Sequence, residues 1–152
     1  MIIYRKATLN DICGIQKLVH DEVINGIILP RSDDEVATNI RSYTLAVQND
    51  EIVGLSALHI HAPHLAEVRS IVVKCGLRGR GIGAQIVKKL LEEGRFLGLK
   101  QIFTLTYKKE FFEKLSFKEI PKESLPISKI WADCIKCRHF PICDETALIV
   151  DI

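Results

Sequence analysis

A run of glycines and arginines near the middle of the chain has the composition of a phosphate-binding turn. Arg78 and Arg80 alternate with Gly79, Gly81 and Gly83 directly after an apolar stretch. Glycine lets a backbone approach a ligand closely, and the first turn of a following helix adds partial positive charge. The spacing fits neither the dinucleotide fingerprint G-x-G-x-x-G nor the Gly-Lys-Ser/Thr of a P-loop. The run therefore predicts a cradle for another compact polyphosphate, the alternative being a turn with solvated arginines.

A glutamate interrupts the apolar stretch that leads into this turn. Glu67 lies in residues 65–74, whose composition predicts a central β-strand. Strand alternation places Glu67, Arg69, Ile71 and Val73 on one face. A carboxylate among apolar residues is costly unless it is paired or used. We therefore predict that Glu67 is a general base, which would collect a proton from a reacting group; the alternative is an ion pair with Arg69 or with another residue.

Four potential metal ligands lie close together near the C-terminus, namely Cys134, Cys137, His139 and Cys143. Thiolate and imidazole groups are the ligands that zinc prefers, so the set is a candidate structural zinc site. The alternatives are reduced thiols that pack the tail onto a sheet, and a redox switch. The chain has five cysteines in all, and an odd number without a secretory signal argues against a disulfide framework.

The composition excludes several classes of protein. The 152 residues are 47% hydrophobic and 26% charged, which predicts one folded domain over residues 1–152. No apolar run approaches the ~18 residues of a membrane helix, and the N-terminus lacks the pattern of a secretory signal. We therefore expect a cytoplasmic protein that does not bind membranes. Residues 74–118 carry eleven Lys or Arg against four Asp or Glu, which suits a phosphate-bearing ligand better than nucleic acid.

The elements that must position these residues follow from hydrophobic periodicity. Consecutive strands followed by helix–strand alternation predict an α/β fold, with a mixed sheet covered by helices. A turn is predicted over residues 61–64, and residues 121–140 are predicted to be irregular. The predicted strands cover residues 1–5, 43–48, 51–60, 65–74, 101–106, 117–120 and 146–151, and the predicted helices start near residues 12, 32, 82 and 109.

The pattern Arg78-x-x-Gly81-x-Gly83, after a strand and before a helix, resembles the acyl-CoA pyrophosphate loop of the GCN5-related N-acetyltransferases (GNAT). The resemblance implies a mixed, mostly antiparallel central sheet that is covered by helices and splayed at an acetyl-CoA cleft. It also implies acetyl-CoA as co-substrate, with main-chain groups of the strand paired to the pantetheine. The residues implied to bind it are Ile71, Val72, Val73, Arg78, Gly79, Arg80, Gly81, Ile82, Gly83 and Ala84.

The chain departs from the family at the acid that protonates the leaving thiolate. Many GNAT enzymes use a tyrosine in a pattern like F-Y-E-K-L-G-F, and Phe112 occupies its place here. Phenylalanine has no proton to donate. Thr106 and Tyr107 are the hydroxyls nearby in sequence, and either is a candidate donor. The alternative is that the thiolate leaves unassisted, since a free thiol has a pKa near ~8.5.

More of the chain resembles one branch of that family, the N-acetylglutamate synthases, and its stand-alone bacterial members in particular. The resemblance is carried by residues 29–35, 66–70, 103–107 with 110–112, and 131–145. It implies acetylation of the α-amine of L-glutamate, the first step of arginine biosynthesis, with Arg31 on the α-carboxylate and Arg69 as a second cationic anchor. A homodimer is expected. The alternatives are a different amino acid, small amine or protein amine as acceptor, and a non-catalytic acyl-CoA sensor.

Overall fold

The computed structural model describes residues 1–126 and 145–152. Within these residues the strands form one seven-stranded sheet in the order β1-β2-β3-β4-β5-β7-β6. The strands are β1 (Ile3–Lys6), β2 (Tyr43–Gln48), β3 (Glu51–Ala62), β4 (Leu65–Val73), β5 (Gln101–Thr106), β6 (Lys118–Ile120) and β7 (Thr146–Asp151). The helices are α1 (Ile12–Ile24), α2 (Asp33–Thr38), α3 (Ile82–Leu97) and α4 (Lys109–Glu113), with short 3-10 turns at Leu9–Asp11, Ile40–Ser42 and Lys122–Ser124.

The described residues fall into two compact units, the first comprising Met1–Leu58 with Ser70–Leu90 and the second His59–Arg69 with Leu91–Ile152. In the first unit β1 pairs antiparallel with β2, and β2 pairs antiparallel with β3. Asn49 and Asp50 join β2 to β3 with φ of 50° and 62°. Two positive φ values in a two-residue connection make a type I′ turn, whose twist matches that of the flanking strands.

Helices cover both faces of the strands in the first unit. On one face a buried cluster joins α1 and α2 to the strands, with Ile15, Val19 and Val36 as the helical members. On the other face Ile82 and Ile86 of α3 pack with Ala46 and Val53. The alternating strand side chains supply both clusters, which is why β2 is buried along most of its length.

The second unit holds the parallel part of the sheet. Residues Leu65–Val68 of β4 pair parallel with Gln101–Thr104 of β5, while β5 pairs antiparallel with β7, and β7 with β6. A parallel neighbour requires a crossover connection, and α3 lies in the segment that joins β4 to β5. Phe103, Leu125 and Ala147 form a buried cluster of this unit.

Most of the predicted elements are confirmed. The sheet is mixed and mostly antiparallel, and the predicted stripe of α3 is buried at Ile82, Ile86, Val87, Leu90 and Leu91. One boundary is wrong in a way that affects the site: β3 continues to Ala62, so the predicted turn over residues 61–64 is confined to Pro63 and His64, and His61 lies in the strand. In the described part of the chain, none of the helices has the length and apolar character required to span a bilayer.

Candidate active site

The predicted phosphate-binding turn connects β4 to α3 in the first unit. Gly76, Gly79 and Gly81 have φ of 93°, 79° and 82°. A methyl group at these positions would meet no atom within 4 Å, so glycine is required there by backbone conformation rather than by space. Gln85 N donates to Gly81 O at 3.0 Å, so the helix begins at the end of the turn. The N–H groups of the first helical turn are therefore available to an anion.

The residues that follow the turn anchor it. Ile82 is 3% exposed and packs in the cluster on the α3 face. Gly83 is buried and Ala84 half-buried, whereas Arg80 is exposed. The first turn of α3 is thus fixed by its apolar side while a cation stands at its entrance. Ile71 and Val73, implied to pair with the pantetheine, pack their side chains on the same face, and Val72 lies in the cluster on the opposite face.

Arg78 makes contacts inside the protein. Its Nε donates to Val73 O at 3.0 Å, and its guanidinium lies 3.4 Å from Glu22 on α1. It lines an open cleft of about 470 Å³ in which Lys74 pairs with Glu51 and Arg5 pairs with Asp11. Charges of both signs line this cleft. Arg78 therefore braces the turn against α1, and a direct role on phosphates requires an exchange of these contacts.

Arg31, the predicted carboxylate anchor, is half-buried at the start of α2. It lines a small cavity of about 10 Å³ together with Tyr43 and Ser70. Gln16 on α1 holds this segment, because its Nε2 donates to Arg31 O at 2.7 Å and to Asp33 Oδ1 at 3.1 Å. The N-terminus of α2 is closed by a capping box of Ser32 and Glu35. The backbone that carries Arg31 is therefore fixed from two sides.

Ser70 adopts a left-handed conformation inside β4, with φ of 60°. A non-glycine residue in this region costs on the order of 1–3 kcal/mol and persists only where its surroundings impose it. Because Ser70 lines the same cavity as Arg31, the strain lies at the predicted acceptor-binding residue. Strand periodicity predicts a regular strand here and does not reveal it.

In the second unit Glu67 is buried, with 2% of the residue exposed. Arg69 Nε donates to Glu67 Oε1 at 3.0 Å, so the ion pair left open by the sequence is present. The same oxygen lies 2.9 Å from His61 Nε2. The carboxylate therefore has charge compensation and hydrogen bonds, which allow it to be ionised in a buried place.

His61 is the site residue that sequence reasoning missed. Its side chain is 2% exposed, and its ring packs against Phe103 with 5.3 Å between centroids. His59 stacks edge-on against it at 4.8 Å. The sequence held one signal for it. His59 and His61 are two residues apart before a tight turn, and Glu67 and Arg69 are two residues apart after it, so each pair shares one face of its strand.

The two hydroxyls proposed as proton donors have different surroundings. Thr106 is buried, and its Oγ accepts a hydrogen bond from Lys108 N at 2.9 Å, at the start of α4. Tyr107 is 42% exposed. Phe112 is fully buried and packs against Phe117. Its aromatic ring is therefore part of the hydrophobic core. Thr106 thus has a structural task, while neither hydroxyl is shown to protonate a thiolate.

The site residues form two groups in the first unit and one group in the second. The first unit brings together Arg31 with Ser70, and separately the turn that runs into α3. The second unit brings Glu67 and Arg69 together and adds His61. The candidate zinc ligands Cys134, Cys137, His139 and Cys143 lie outside the described residues.

Comparison with known proteins agrees with this chemistry. The model of the acetyltransferase (GNAT) family matches residues 19–117. An uncharacterised N-acetyltransferase of Chlorobaculum tepidum is 35% identical over 149 residues, which cover 95% of this chain and 93% of the relative. An amino-acid acetyltransferase of Mycobacterium tuberculosis is 32% identical over 143 residues, which cover 92% of this chain and 80% of that protein.

The fold is similar to that of a solved enzyme. The N-acetylglutamate synthase of Neisseria gonorrhoeae, complexed with coenzyme A and N-acetyl-glutamate, superposes with a TM-score of 0.89 at 20% identity. The match covers 99% of this chain and 35% of the synthase chain, so this protein spans about a third of that enzyme. The family match, the relative and the glycine turn before α3 agree: the chain belongs to the acetyltransferase (GNAT) family and is an acetyl-CoA-dependent N-acetyltransferase.

Proposed function

We propose that the protein transfers the acetyl group of acetyl-CoA to the α-amine of L-glutamate, within a single acetyltransferase domain of residues 1–152. The observation that carries the proposal is Glu67, a buried carboxylate held by Arg69 at 3.0 Å. The amino-acid acetyltransferase relative supports an amino acid as acceptor. The motifs around Arg31 and Glu67, which resemble those of N-acetylglutamate synthases, support glutamate.

Glu67 is proposed to act as the general base. The α-ammonium of an amino acid is not a nucleophile until it loses a proton, and a carboxylate can accept that proton directly or through a water. The amine nitrogen then attacks the thioester carbonyl, a C–N bond forms, and the C–S bond breaks as the CoA thiolate leaves. The second proton that the nitrogen loses passes to this thiolate or to water. The thiolate needs no strong acid, since a free thiol has a pKa near ~8.5. This accounts for a phenylalanine at position 112.

The turn between β4 and α3 is proposed to bind the pyrophosphate of acetyl-CoA. Three positive-φ glycines and the free N–H groups of the first turn of α3 supply the cradle, and exposed Arg80 supplies a full charge. These features fit a polyphosphate without any change of backbone.

Arg31 is proposed to bind the α-carboxylate of the acceptor. A guanidinium presents paired N–H donors that match a carboxylate, which an ammonium does not. The fixation of its backbone by Gln16 and the capping box reduces the entropy lost on binding. The acceptor then has an anchor independent of the group that deprotonates it.

The test is thiol release from acetyl-CoA with each standard amino acid and a set of peptide N-termini as acceptors. We expect L-glutamate to give the highest kcat/KM. Arg31→Ala should raise the KM for glutamate by about tenfold or more with little change in kcat, as expected for loss of a charged hydrogen bond. Arg31→Lys should recover part of the loss, and Arg41→Ala, an exposed arginine of the same unit, should have no effect.

Two results would contradict the proposal. Equal rates with many amino acids or with peptides would remove glutamate as the acceptor. Acetyl-CoA binding without release of thiol for any acceptor would replace catalysis by a sensor function.

A further inference from the structure

A histidine of β3 holds the carboxylate to which the proposed function assigns proton transfer. His61 Nε2 and Glu67 Oε1 are 2.9 Å apart, and both side chains are 2% exposed. An ionised carboxylate can only accept hydrogen bonds, so with Glu67 in the ionised form that its proposed role as base requires, His61 Nε2 is the donor. The contact is thus a donor–acceptor pair out of water, where such bonds are strong.

The ring of His61 is itself fixed. Phe103 of β5 lies against one side, with 5.3 Å between ring centroids, and His59 contacts it edge-on at 4.8 Å. A ring between two aromatic neighbours has few rotamers available. Its Nε2 therefore presents one direction to the carboxylate rather than a range of directions.

Arg69 compensates the charge of Glu67, whereas His61 fixes the orientation of its carboxylate. Arg69 is a cation whose removal would leave a buried carboxylate uncompensated, a change that acts on folding as much as on chemistry. Removal of His61 leaves the ion pair of Arg69 and Glu67 in place. His61 is therefore the partner whose substitution separates orientation from charge.

We propose that His61 is a positioning residue for Glu67, whose Nε2–H holds the carboxylate in one orientation for the proton of the acceptor amine. The inference rests on the proposed role of Glu67 as base. His61 makes no contact with the reacting atoms in this account; it acts through Glu67 alone. A base held in one orientation is effective because proton transfer requires a short, aligned contact.

The experiment is a double-mutant cycle of His61 and Glu67, read as kcat and KM with acetyl-CoA and L-glutamate. His61→Leu should lower kcat roughly 10- to 100-fold, as expected for one hydrogen bond to a charged group, with the KM for acetyl-CoA unchanged. His61→Gln, which keeps a donor near the place of Nε2, should stay within about threefold of the wild type. In the Glu67→Gln background His61→Leu should have little further effect, since positioning acts through Glu67.

His64→Leu is the matched control, because His64 lies in the adjoining turn and is exposed. Its kcat should equal that of the wild type. Equal losses from His61→Leu in both backgrounds, or a His61→Gln variant no better than His61→Leu, would overturn the proposal.

A second readout does not depend on the acceptor. The ¹H–¹⁵N correlations of the His61 ring should show the Nε2–H tautomer in the wild type and should shift in Glu67→Gln. A ring with its proton on Nδ1 would overturn the inference even if glutamate is the substrate. If instead another amine proves to be the acceptor, only the proposed function fails, and the cycle is run with that amine.

Discussion

A buried base has to be ionised before it reacts and still accept a proton from the substrate. The ion pair of the proposed base, Glu67, favours the first condition, because Arg69 Nε donates to Oε1 at 3.0 Å. His61 Nε2 lies 2.9 Å from the same oxygen. An α-ammonium is a weaker acid than a carboxylic acid, so at equilibrium little of its proton passes to a carboxylate. Proton transfer to Glu67 therefore has to accompany attack of the amine on the thioester, which requires the carboxylate to be held close to the nitrogen.

Replacement of the base should act on the chemical step. Glu67→Gln keeps the shape of the side chain and removes its ability to take a proton, so kcat should fall about 10²- to 10⁴-fold. The KM for acetyl-CoA should stay near that of the wild type. Steady-state kinetics checks this, with Glu123→Gln, an exposed carboxylate of the second unit, as the control. Unchanged kcat in Glu67→Gln would remove Glu67 from the mechanism.

At the scale of elements, α3 lies between two turns that each contain a glycine with positive φ. The turn before α3 ends at Gly81 with φ of 82°, and the turn after α3 lies at Gly98 with φ of 89°. A side chain at either position meets no neighbour within 4 Å. The backbone strain of a substitution is therefore the same, and only the first position adjoins the proposed phosphate cradle.

Gly81→Ala and Gly98→Ala should accordingly differ in binding but not in stability. Each substitution places a Cβ in the left-handed region, which costs about 1–2 kcal/mol. Both should lower Tm by a similar amount. Gly81→Ala should also raise the Kd for CoA about tenfold by calorimetry, because the cradle relaxes to relieve the strain. Equal CoA affinity in the two variants would place the phosphates elsewhere.

At the C-terminal end of α4 a serine occupies a position that favours glycine. Phe117 N donates to Phe112 O at 3.1 Å, and Ser116 N donates to Glu113 O at 3.1 Å. These two bonds, with the ring contact of Phe112 and Phe117 at 5.1 Å, form a Schellman motif. The left-handed position of this motif is normally glycine, and here Ser116 adopts it with φ of 73°.

Ser116→Gly should therefore stabilise the protein. Removal of the left-handed penalty should raise the free energy of unfolding by about 1 kcal/mol, measured by urea denaturation. Ser124→Gly is the control: it lies in a 3-10 turn without positive φ, and glycine there should lower stability by about 0.5–1 kcal/mol. A loss of stability in Ser116→Gly would mean that the serine side chain contributes more than its backbone costs.

Sequence periodicity predicted some features of α3 and β4 and missed others. Spacing predicted the apolar stripe of α3, and alternation predicted that Glu67 and Arg69 share one face, because both follow from period alone. They did not predict the positive φ of Ser70 or the contacts of Arg78 with Val73 and Glu22. The φ of one residue and the conformation of a long side chain are both set by tertiary contacts. His61 was missed because the turn was predicted two residues too early, and the length of a hairpin turn decides which side chains meet.

At the scale of the whole molecule, one surface ion pair links stability to pH. Arg5 of β1 donates to both oxygens of Asp11 at 2.9 Å, and Thr8 N donates to the same carboxylate at 2.7 Å. The hydrogen bond from Arg5 is the larger cause that lowers the pKa of Asp11 from 3.8 to about 2. A lowered pKa means that the folded state favours the ionised form, so the stabilisation is present above pH 3.8 and is lost as the pH falls to about 2.

Asp11→Asn should consequently be a pH-dependent substitution. At pH 7 it should lower the free energy of unfolding by about 1 kcal/mol, a modest value because the pair is partly exposed. The difference from the wild type should shrink below pH 4 and be lost as the pH falls through about 2, as followed by urea unfolding at several pH values. Asp21→Asn, an exposed carboxylate of the same unit outside the first turn of a helix, should change stability by less than about 0.5 kcal/mol. A constant difference across the range would show that Asp11 acts through packing.

The central claim is acetyl transfer from acetyl-CoA to the α-amine of L-glutamate. Its most direct test is mass spectrometry of the products after incubation of the protein with ¹³C-acetyl-CoA and an equimolar mixture of amino acids. We expect ¹³C-labelled N-acetyl-L-glutamate as the dominant product, formed in step with free CoA and at an initial rate at least about 100-fold lower with Glu67→Gln. Label found mainly on another amino acid, on the protein itself, or on none of them would contradict it.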